Sequence, residues 1–200
     1  MKVRVLYEDS LAPNGAPVNY APHRLLLNCL FDRMEIKAML DAVYGRAEFY
    51  LLANLVVAHP CNGNANVFKQ LTKNRETFAN SQIAPVACLD SDKIDRLLKV
   101  AERTCKVLRR EALWDQCEFN GNKAFVLLER NLEDILQIAQ KQGANFGVEE
   151  LNSALNKNLA DRDALVSRIA NDPELRVKML TAMPSFGYFV EKTAALALIA

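Results

Sequence analysis

Several features that mark common functional classes are absent or scarce in this chain of 200 residues. It has only two histidines, and its five cysteines form no C-x-x-C pair, which argues against a zinc ribbon, a thioredoxin-like site and a cysteine–histidine catalytic pair. Lys plus Arg number 25 and Asp plus Glu number 24, so there is no general excess of positive charge to bind nucleic acid. A local basic groove or a bound metal ion stays compatible with this balance.

Long apolar runs are missing as well. The apolar run at the start of the chain is short and contains Lys2 and Arg4, unlike the core of a signal peptide. The longest apolar stretch elsewhere, Ala194 to Ala200, is well below the roughly 20 residues that a membrane helix needs. We therefore expect a cytoplasmic protein that makes no use of a membrane.

The residues that are present favour a globular α/β protein. Half of them are apolar and 24% are charged, which is ordinary for a packed domain. Short β-branched or apolar runs predict strands at 2–7, 51–58, 83–89 and 123–128. The run at 51–58 is also compatible with a helical segment. Helical spacing of apolar residues is found at 23–43, as one helix or as two with a break near Asp32, at 65–78, at 93–112, at 131–170 with interruptions near Gly143 and Gly147, and from 173 onward.

Alternation of strands and helices predicts a mostly parallel central sheet of about four strands that is flanked by helices. We expect residues 1–140 to form this domain and residues 141–200 to be a helical extension packed on it. The apolar end of the chain, 194–200, fits a last core helix, and the alternative is a surface for an oligomer or another partner.

Acidic residues follow two of the predicted strands. Glu8 comes after the first strand, and Asp90 and Asp92 come after the third. Active sites of parallel sheets lie at the carboxyl ends of the strands, and side chains two apart in extended chain lie on one side of it. Converging carboxylates suit Mg²⁺ or Mn²⁺. The alternative for Asp92 is a cap for the helix that begins near Lys93.

Two segments resemble the Toprim domain, the catalytic module of topoisomerases, bacterial primases and several small nucleases. They are V-R-V-L-Y-E-D-S (3–10) and P-V-A-C-L-D-S-D-K (85–93). Weaker similarity is found at 56–71 and 125–136, so that the resemblance covers about residues 1–140. It implies a Toprim-like Rossmannoid fold in which Glu8, Asp90 and Asp92 bind Mg²⁺ or Mn²⁺ and act on a phosphodiester.

Further roles follow from the same resemblance. Glu133, or Asp134 beside it, would complete the metal site, and Lys93 and Lys123 would contact a phosphate; solvated side chains are the alternative for these residues. Where the family has a glycine, this chain has Asp9, which either adds a carboxylate or replaces a lost function. The loop that follows, up to Pro22, is longer than the family pattern.

The resemblance is nearest to small standalone Toprim nucleases and to those of the overcoming-lysogenization-defect type. It implies a metal-dependent nuclease for DNA or RNA, an effector of a bacterial stress or anti-phage system. Because no G-x-x-x-x-G-K-[ST] occurs, an associated ATPase would be a separate partner. The alternatives are a non-catalytic binding or assembly subunit with the same fold, and an enzyme acting on small phosphate esters. We expect His23 and His59 to be ordinary surface residues that lie near this edge of the sheet.

Overall fold

The computed structural model of the protein describes residues 2–8, 20–73, 80, 82–90, 105–106, 118–119, 125–128, 134–156 and 158–199. The strands of this part are β1 (Lys2–Tyr7), β2 (Val56–Pro60), β3 (Ile83–Asp90), β4 (Cys105–Lys106), β5 (Glu118–Phe119) and β6 (Phe125–Leu128). Its first helices are α1 (Ala21–Phe31), α2 (Met34–Tyr44), α3 (Phe49–Leu55) and α4 (Asn64–Lys73). The helices after the sheet are α5 (Asp134–Lys141), α6 (Val148–Leu155), α7 (Leu159–Asn171), α8 (Pro173–Ala182) and α9 (Pro184–Leu198).

The protein has an α/β fold with a small, open, parallel sheet flanked by helices, as the alternation predicts. Strand β1 lies between β2 and β3 and is parallel to both. The short β6 pairs in parallel with the outer side of β3. The total number of strands in the sheet stays a prediction.

One face of the sheet belongs to the hydrophobic core. Alternate residues of β1, namely Val3, Val5 and Tyr7, are at most 1% exposed. Helix α9 packs across β1, β3 and β6, and its Phe189 ring contacts Tyr7 on this face. Helix α1 packs in turn against α7 and α9. The helices after residue 141 therefore share one core with the sheet, while the domain border near residue 140 stays a prediction.

The connections that leave β1 and β3 run in opposite directions across the sheet, because β1 is followed by β2 on one side and the strand beside β3, β6, lies on the other. From β1 it passes through α1, α2 and α3 to β2 on one side, and from β2 it passes through α4 to β3 on the other side. Since crossovers between parallel strands are right-handed in nearly all proteins, we expect these two connections to lie on opposite faces. The carboxyl ends of β1 and β3 thus flank a topological switch point, where open α/β sheets bind their ligands.

Of the two alternatives for 23–43, the structure has two helices with a break near Asp32. Helix α1 ends at Phe31 and α2 begins at Met34. Pro22 lies in the first turn of α1, where its missing N–H group costs no hydrogen bond. Helix α2 ends at Tyr44 and is followed by Gly45, whose φ of 71° favours glycine.

Two predictions of local structure are wrong in part. The run 51–58 is a strand only from Val56, because α3 occupies its first half and passes directly into β2. A continuous apolar run has no periodicity that separates strand from helix. The helix predicted over 93–112 is wrong at Cys105 and Lys106, which pair with Phe119 and Glu118 in an antiparallel ladder. Long-range pairing supplies backbone hydrogen bonds there that local spacing does not reveal. The rest of 93–112 lies outside the described residues.

Among the described residues, no helix combines the length and the apolar character needed to cross a bilayer.

Candidate functional site

Two of the predicted acidic residues lie at neighbouring strand ends. Glu8 directly follows β1 and is half-buried, and Asp90 is the last residue of β3. Tyr7 is paired with Cys88 in the parallel register of these strands. Glu8 is therefore one residue beyond that pair and Asp90 two residues beyond it. The backbone thus brings both positions to the same edge of the sheet, beside the switch point.

The structure does not describe every predicted site residue. The side chain of Asp90 lies outside the described part of the protein, as do Asp92, Lys93, Lys123 and Glu133. Within the described part, no group of three or more His, Cys, Asp or Glu side chains is arranged to hold a metal ion.

Asp134, the alternative to Glu133, is described. It begins α5 and is only 8% exposed. Helix α5 packs against α7 and α8.

The loop after β2 is hydrogen-bonded to the end of β1. The Cys61 N–H donates to the Tyr7 carbonyl at 2.9 Å, and the Gly63 N–H donates to the Glu8 carbonyl at 2.5 Å. The loop turns through two residues of positive φ, 57° at Asn62 and 110° at Gly63. Residues other than glycine rarely adopt the φ of Gly63. This turn lets two amides of the loop, those of Cys61 and Gly63, fix the backbone at Tyr7 and Glu8.

A chain of buried hydrogen bonds, formed by Tyr7, His23 and the Val56 carbonyl, lies behind Glu8 on the core face of the sheet. The Tyr7 hydroxyl is 3.0 Å from Nδ1 of His23, and Nε2 of His23 is 3.1 Å from the carbonyl oxygen of Val56. Tyr7 is 1% exposed and His23 is 2% exposed. The expectation that His23 is a surface residue is therefore wrong, because the first turn of α1 is packed onto the sheet.

The two titratable members of this chain are held neutral. Burial lowers the pKa of His23 to about 4, although the hydrogen bond to Val56 opposes this change. Burial, with a smaller contribution from Cys88, raises the pKa of Tyr7 well above its ordinary value. The imidazole and the phenol therefore act as neutral hydrogen-bonding groups at physiological pH.

Aromatic rings enclose Tyr7. Its ring centroid is 5.0 Å from that of Tyr20, 5.7 Å from that of His23 and 6.2 Å from that of Phe189, all in edge-to-face geometry. Because side chains alternate along a strand, a Tyr7 that is held on the core face directs Glu8 toward the opposite face.

Arg4 and His59 belong to the same face of the sheet as Glu8. Arg4 precedes Glu8 by four residues on β1, and His59 is paired with Leu6 in the register of β1 and β2. Both side chains are partly exposed. Burial and the nearby Arg4 charge lower the pKa of His59. The positive charge of Arg4 thus lies on the face toward which the acidic site opens.

Cys61 is close to this site but is a poor nucleophile. Its side chain is buried, its Sγ donates to the His59 carbonyl at 3.5 Å, and burial raises its pKa to about 11. Because the thiolate is the reactive form, this environment disfavours cysteine chemistry here.

The described geometry therefore contains a carboxylate at the end of a central strand, whose backbone is hydrogen-bonded to the loop after β2, and a second acidic position at the end of the neighbouring strand β3. Sequence reasoning located both acidic positions and missed the support provided by Tyr7 and His23. No pattern in the sequence identifies a single histidine as buried. Comparison of the chain with protein-family models, with curated proteins and with solved structures finds no significant match.

Proposed function

We propose that this protein is a metal-dependent nuclease of the Toprim type, which hydrolyses phosphodiester bonds in DNA or RNA. The observation that supports the proposal most directly is the position of Glu8 and Asp90. Glu8 follows β1 and Asp90 ends β3, two adjacent parallel strands whose onward connections run to opposite sides of the sheet. Ligand sites of open α/β sheets are found at this place.

The chemistry of these residues fits a hard divalent cation. Carboxylate oxygens of Glu8, Asp90 and Asp92 would hold Mg²⁺ or Mn²⁺, with Glu133 as a further ligand. A bound cation of this kind polarises a phosphate oxygen and lowers the pKa of water. Glu8 would either bind the cation or accept the proton of the attacking water.

Positive side chains would neutralise the substrate. Lys93 and Lys123 follow or precede strands of the proposed four-stranded Toprim sheet, and each would contact a phosphate of the nucleic acid. With a net charge of only +1, the protein would bind nucleic acid weakly by itself. This is consistent with the proposal of a cytoplasmic effector that acts beside a separate ATPase.

A nuclease assay tests the proposal. The purified protein is incubated with plasmid DNA, single-stranded DNA and tRNA, in Mg²⁺, in Mn²⁺ and in EDTA. The variants are Glu8→Gln, Asp90→Asn and Asp92→Asn, which remove a charge and keep the shape. Glu191→Gln, on an exposed part of α9, is the matched control. We expect cleavage that requires metal and that falls on the order of 100-fold or more in the three site variants, but not in the control.

Two outcomes would contradict the proposal. Cleavage that continues in EDTA and in Asp90→Asn would exclude the metal mechanism. A folded protein that cleaves none of the three substrates would favour the non-catalytic binding subunit.

A further inference from the structure

We infer that Tyr7 and His23 are positioning residues for Glu8. Their hydrogen-bond chain to the Val56 carbonyl fixes the end of β1 so that the Glu8 carboxylate is presented at the opposite face of the sheet. The inference rests on the proposed function where it concerns metal binding, but the geometric part can be tested without it.

The two hydrogen bonds of His23 have a defined direction. The Val56 carbonyl can only accept, so Nε2 of His23 must carry the hydrogen atom. Neutral His23 then has an acceptor at Nδ1, and the Tyr7 hydroxyl donates to it. One tautomer and one hydroxyl orientation satisfy every group in the chain, which defines the position of the Tyr7 ring.

The backbone connects the Tyr7 ring to Glu8. Tyr7 and Glu8 are consecutive, and the carbonyl groups of both accept hydrogen bonds from the loop at Cys61 and Gly63. The Tyr7 ring is held on the core face and the Tyr7 carbonyl is held at the edge of the sheet. The peptide group that joins Tyr7 to Glu8 therefore has little rotational freedom. The orientation of the carboxylate is thereby limited before any ligand binds.

The two hydrogen bonds of His23 join three elements of the fold. His23 lies on α1, Tyr7 on β1, and Val56 at the junction of α3 and β2. The two hydrogen bonds span 16 and 33 residues of sequence. Helix α1 therefore holds β1 against Val56, the first residue of β2. Polar groups this deeply buried are costly unless all of them are paired.

Three variants separate positioning from simple packing. Tyr7→Phe removes only the hydroxyl, and His23→Leu removes both nitrogen atoms. His23→Gln keeps one acceptor and one donor and is the conservative rescue. Thr193→Val is the matched control, because it removes another fully buried hydroxyl, which bonds within α9 to Phe189.

Two measurements are made on each folded variant. The first is amide hydrogen exchange at Cys61 and Gly63, compared with exchange at Met183, which lies between α8 and α9 and whose N–H bonds to the Met179 carbonyl. The second is the affinity for Mn²⁺, measured by electron paramagnetic resonance. We expect Tyr7→Phe and His23→Leu to accelerate exchange selectively at Cys61 and Gly63, and to weaken Mn²⁺ binding by about 10-fold. His23→Gln should restore both toward wild type, and Thr193→Val should change neither.

The inference is overturned if Tyr7→Phe lowers the melting temperature while exchange at Gly63 and Mn²⁺ affinity stay at their wild-type values. It is also overturned if Thr193→Val produces the same changes. A wild-type protein that binds no Mn²⁺ would instead contradict the proposed function, and the exchange measurement would still decide whether Tyr7 and His23 fix the strand end.

Discussion

The Tyr7 hydroxyl donates a hydrogen bond to Nδ1 of His23 over 3.0 Å, in a site from which water is excluded. This pairing requires a neutral imidazole, because a protonated His23 has no acceptor to offer. Burial meets that requirement by lowering the pKa of His23 to about 4. The hydrogen bond between Tyr7 and His23, next to the candidate site, therefore depends on pH.

Stability should therefore fall in mildly acidic solution. In the unfolded chain His23 takes up a proton near pH 6.5, whereas in the folded protein it does so only near pH 4. Above about pH 6.5 both states hold a neutral imidazole and the free energy of unfolding is unaffected. Between these values only the unfolded state gains the proton, so we expect the loss to build up to about 3 kcal/mol by pH 4. Urea unfolding measured at steps between pH 7.5 and pH 4 gives this curve.

His23→Gln is the control for that measurement. Glutamine does not titrate, so the variant should be less dependent on pH over this range, even if its stability at pH 7.5 is lower. The remaining slope reports His59, whose pKa is lowered by burial and by Arg4, and carboxylates such as Glu35, whose pKa is lowered by hydrogen bonds to its backbone and to Arg33. Equal slopes in the two proteins would show that His23 titrates normally.

A second prediction concerns Arg176, which joins α8 to the end of α1. Its Nε and Nη2 donate to the two carboxylate oxygens of Asp32 at 2.7 and 2.8 Å, and its Nη1 donates to the Ala170 carbonyl. Arg176 is 7% exposed. We expect Arg176→Met to lower the free energy of unfolding by about 2–3 kcal/mol and Asp32→Asn by about 1–2 kcal/mol. Chemical denaturation at pH 7.5 measures both.

The ion pair between Arg33 and Glu35 provides the comparison. Its N–O distance is 2.6 Å, but its side chains are 34% and 45% exposed. Because water solvates these charges, Glu35→Gln should change the free energy of unfolding by less than about 1 kcal/mol. Because the Asp32 side chain is 43% exposed, much like Glu35, equal effects of Asp32→Asn and Glu35→Gln would show that burial of the arginine does not determine the contribution of the pair.

Much of the fold was predictable because it depends on local pattern. The break at Asp32, the glycines that separate the later helices and the strand-like composition of 2–7 and 83–89 are all visible in the sequence. Errors occurred where the pattern is ambiguous or where distant residues decide the structure. An apolar run without periodicity concealed the change from α3 to β2 at Val56, and the pairing of Cys105 with Phe119 was not detectable from helical spacing.

The candidate site was predictable to a similar extent. Acidic residues after strands identify Glu8 and Asp90, because the carboxyl ends of parallel strands share one edge. Their neighbouring positions depend on the strand order, in which β3 lies beside β1 and β2 lies on the other side. Periodicity carries no information on that order. The partners of His23 are likewise distant in sequence, so its burial became evident only in three dimensions.

A third prediction concerns the close approach of α8 and α9. A Cβ atom at Gly187 would lie 2.9 Å from the Leu180 carbonyl oxygen, a backbone atom that cannot rotate away. Gly187→Ala should therefore force the two helices apart and lower the free energy of unfolding by about 1–3 kcal/mol. Thermal and urea unfolding give the size of the effect.

Gly147→Ala is the matched control for this substitution. Its Cβ would meet Glu150 at an ordinary contact distance of 3.7 Å, and its φ of −64° is available to any residue. We expect a change within about 0.5 kcal/mol. If alanine destabilises both positions equally, the contact with Leu180 is not the cause.

A final prediction links the acidic site to stability without any assay of cleavage. If Glu8 and Asp90 bind a divalent cation as proposed, the cation binds only the folded protein, in which both positions lie at adjacent strand ends. Mn²⁺ at 100 times its dissociation constant should therefore stabilise the wild type by about 2.7 kcal/mol. The gain is measured by calorimetry as a rise in melting temperature, against KCl of the same ionic strength. Glu8→Gln and Asp90→Asn should lose most of the gain, because each removes a charged ligand, whereas Glu191→Gln should keep it. A full gain in Glu8→Gln would show that the cation binds elsewhere.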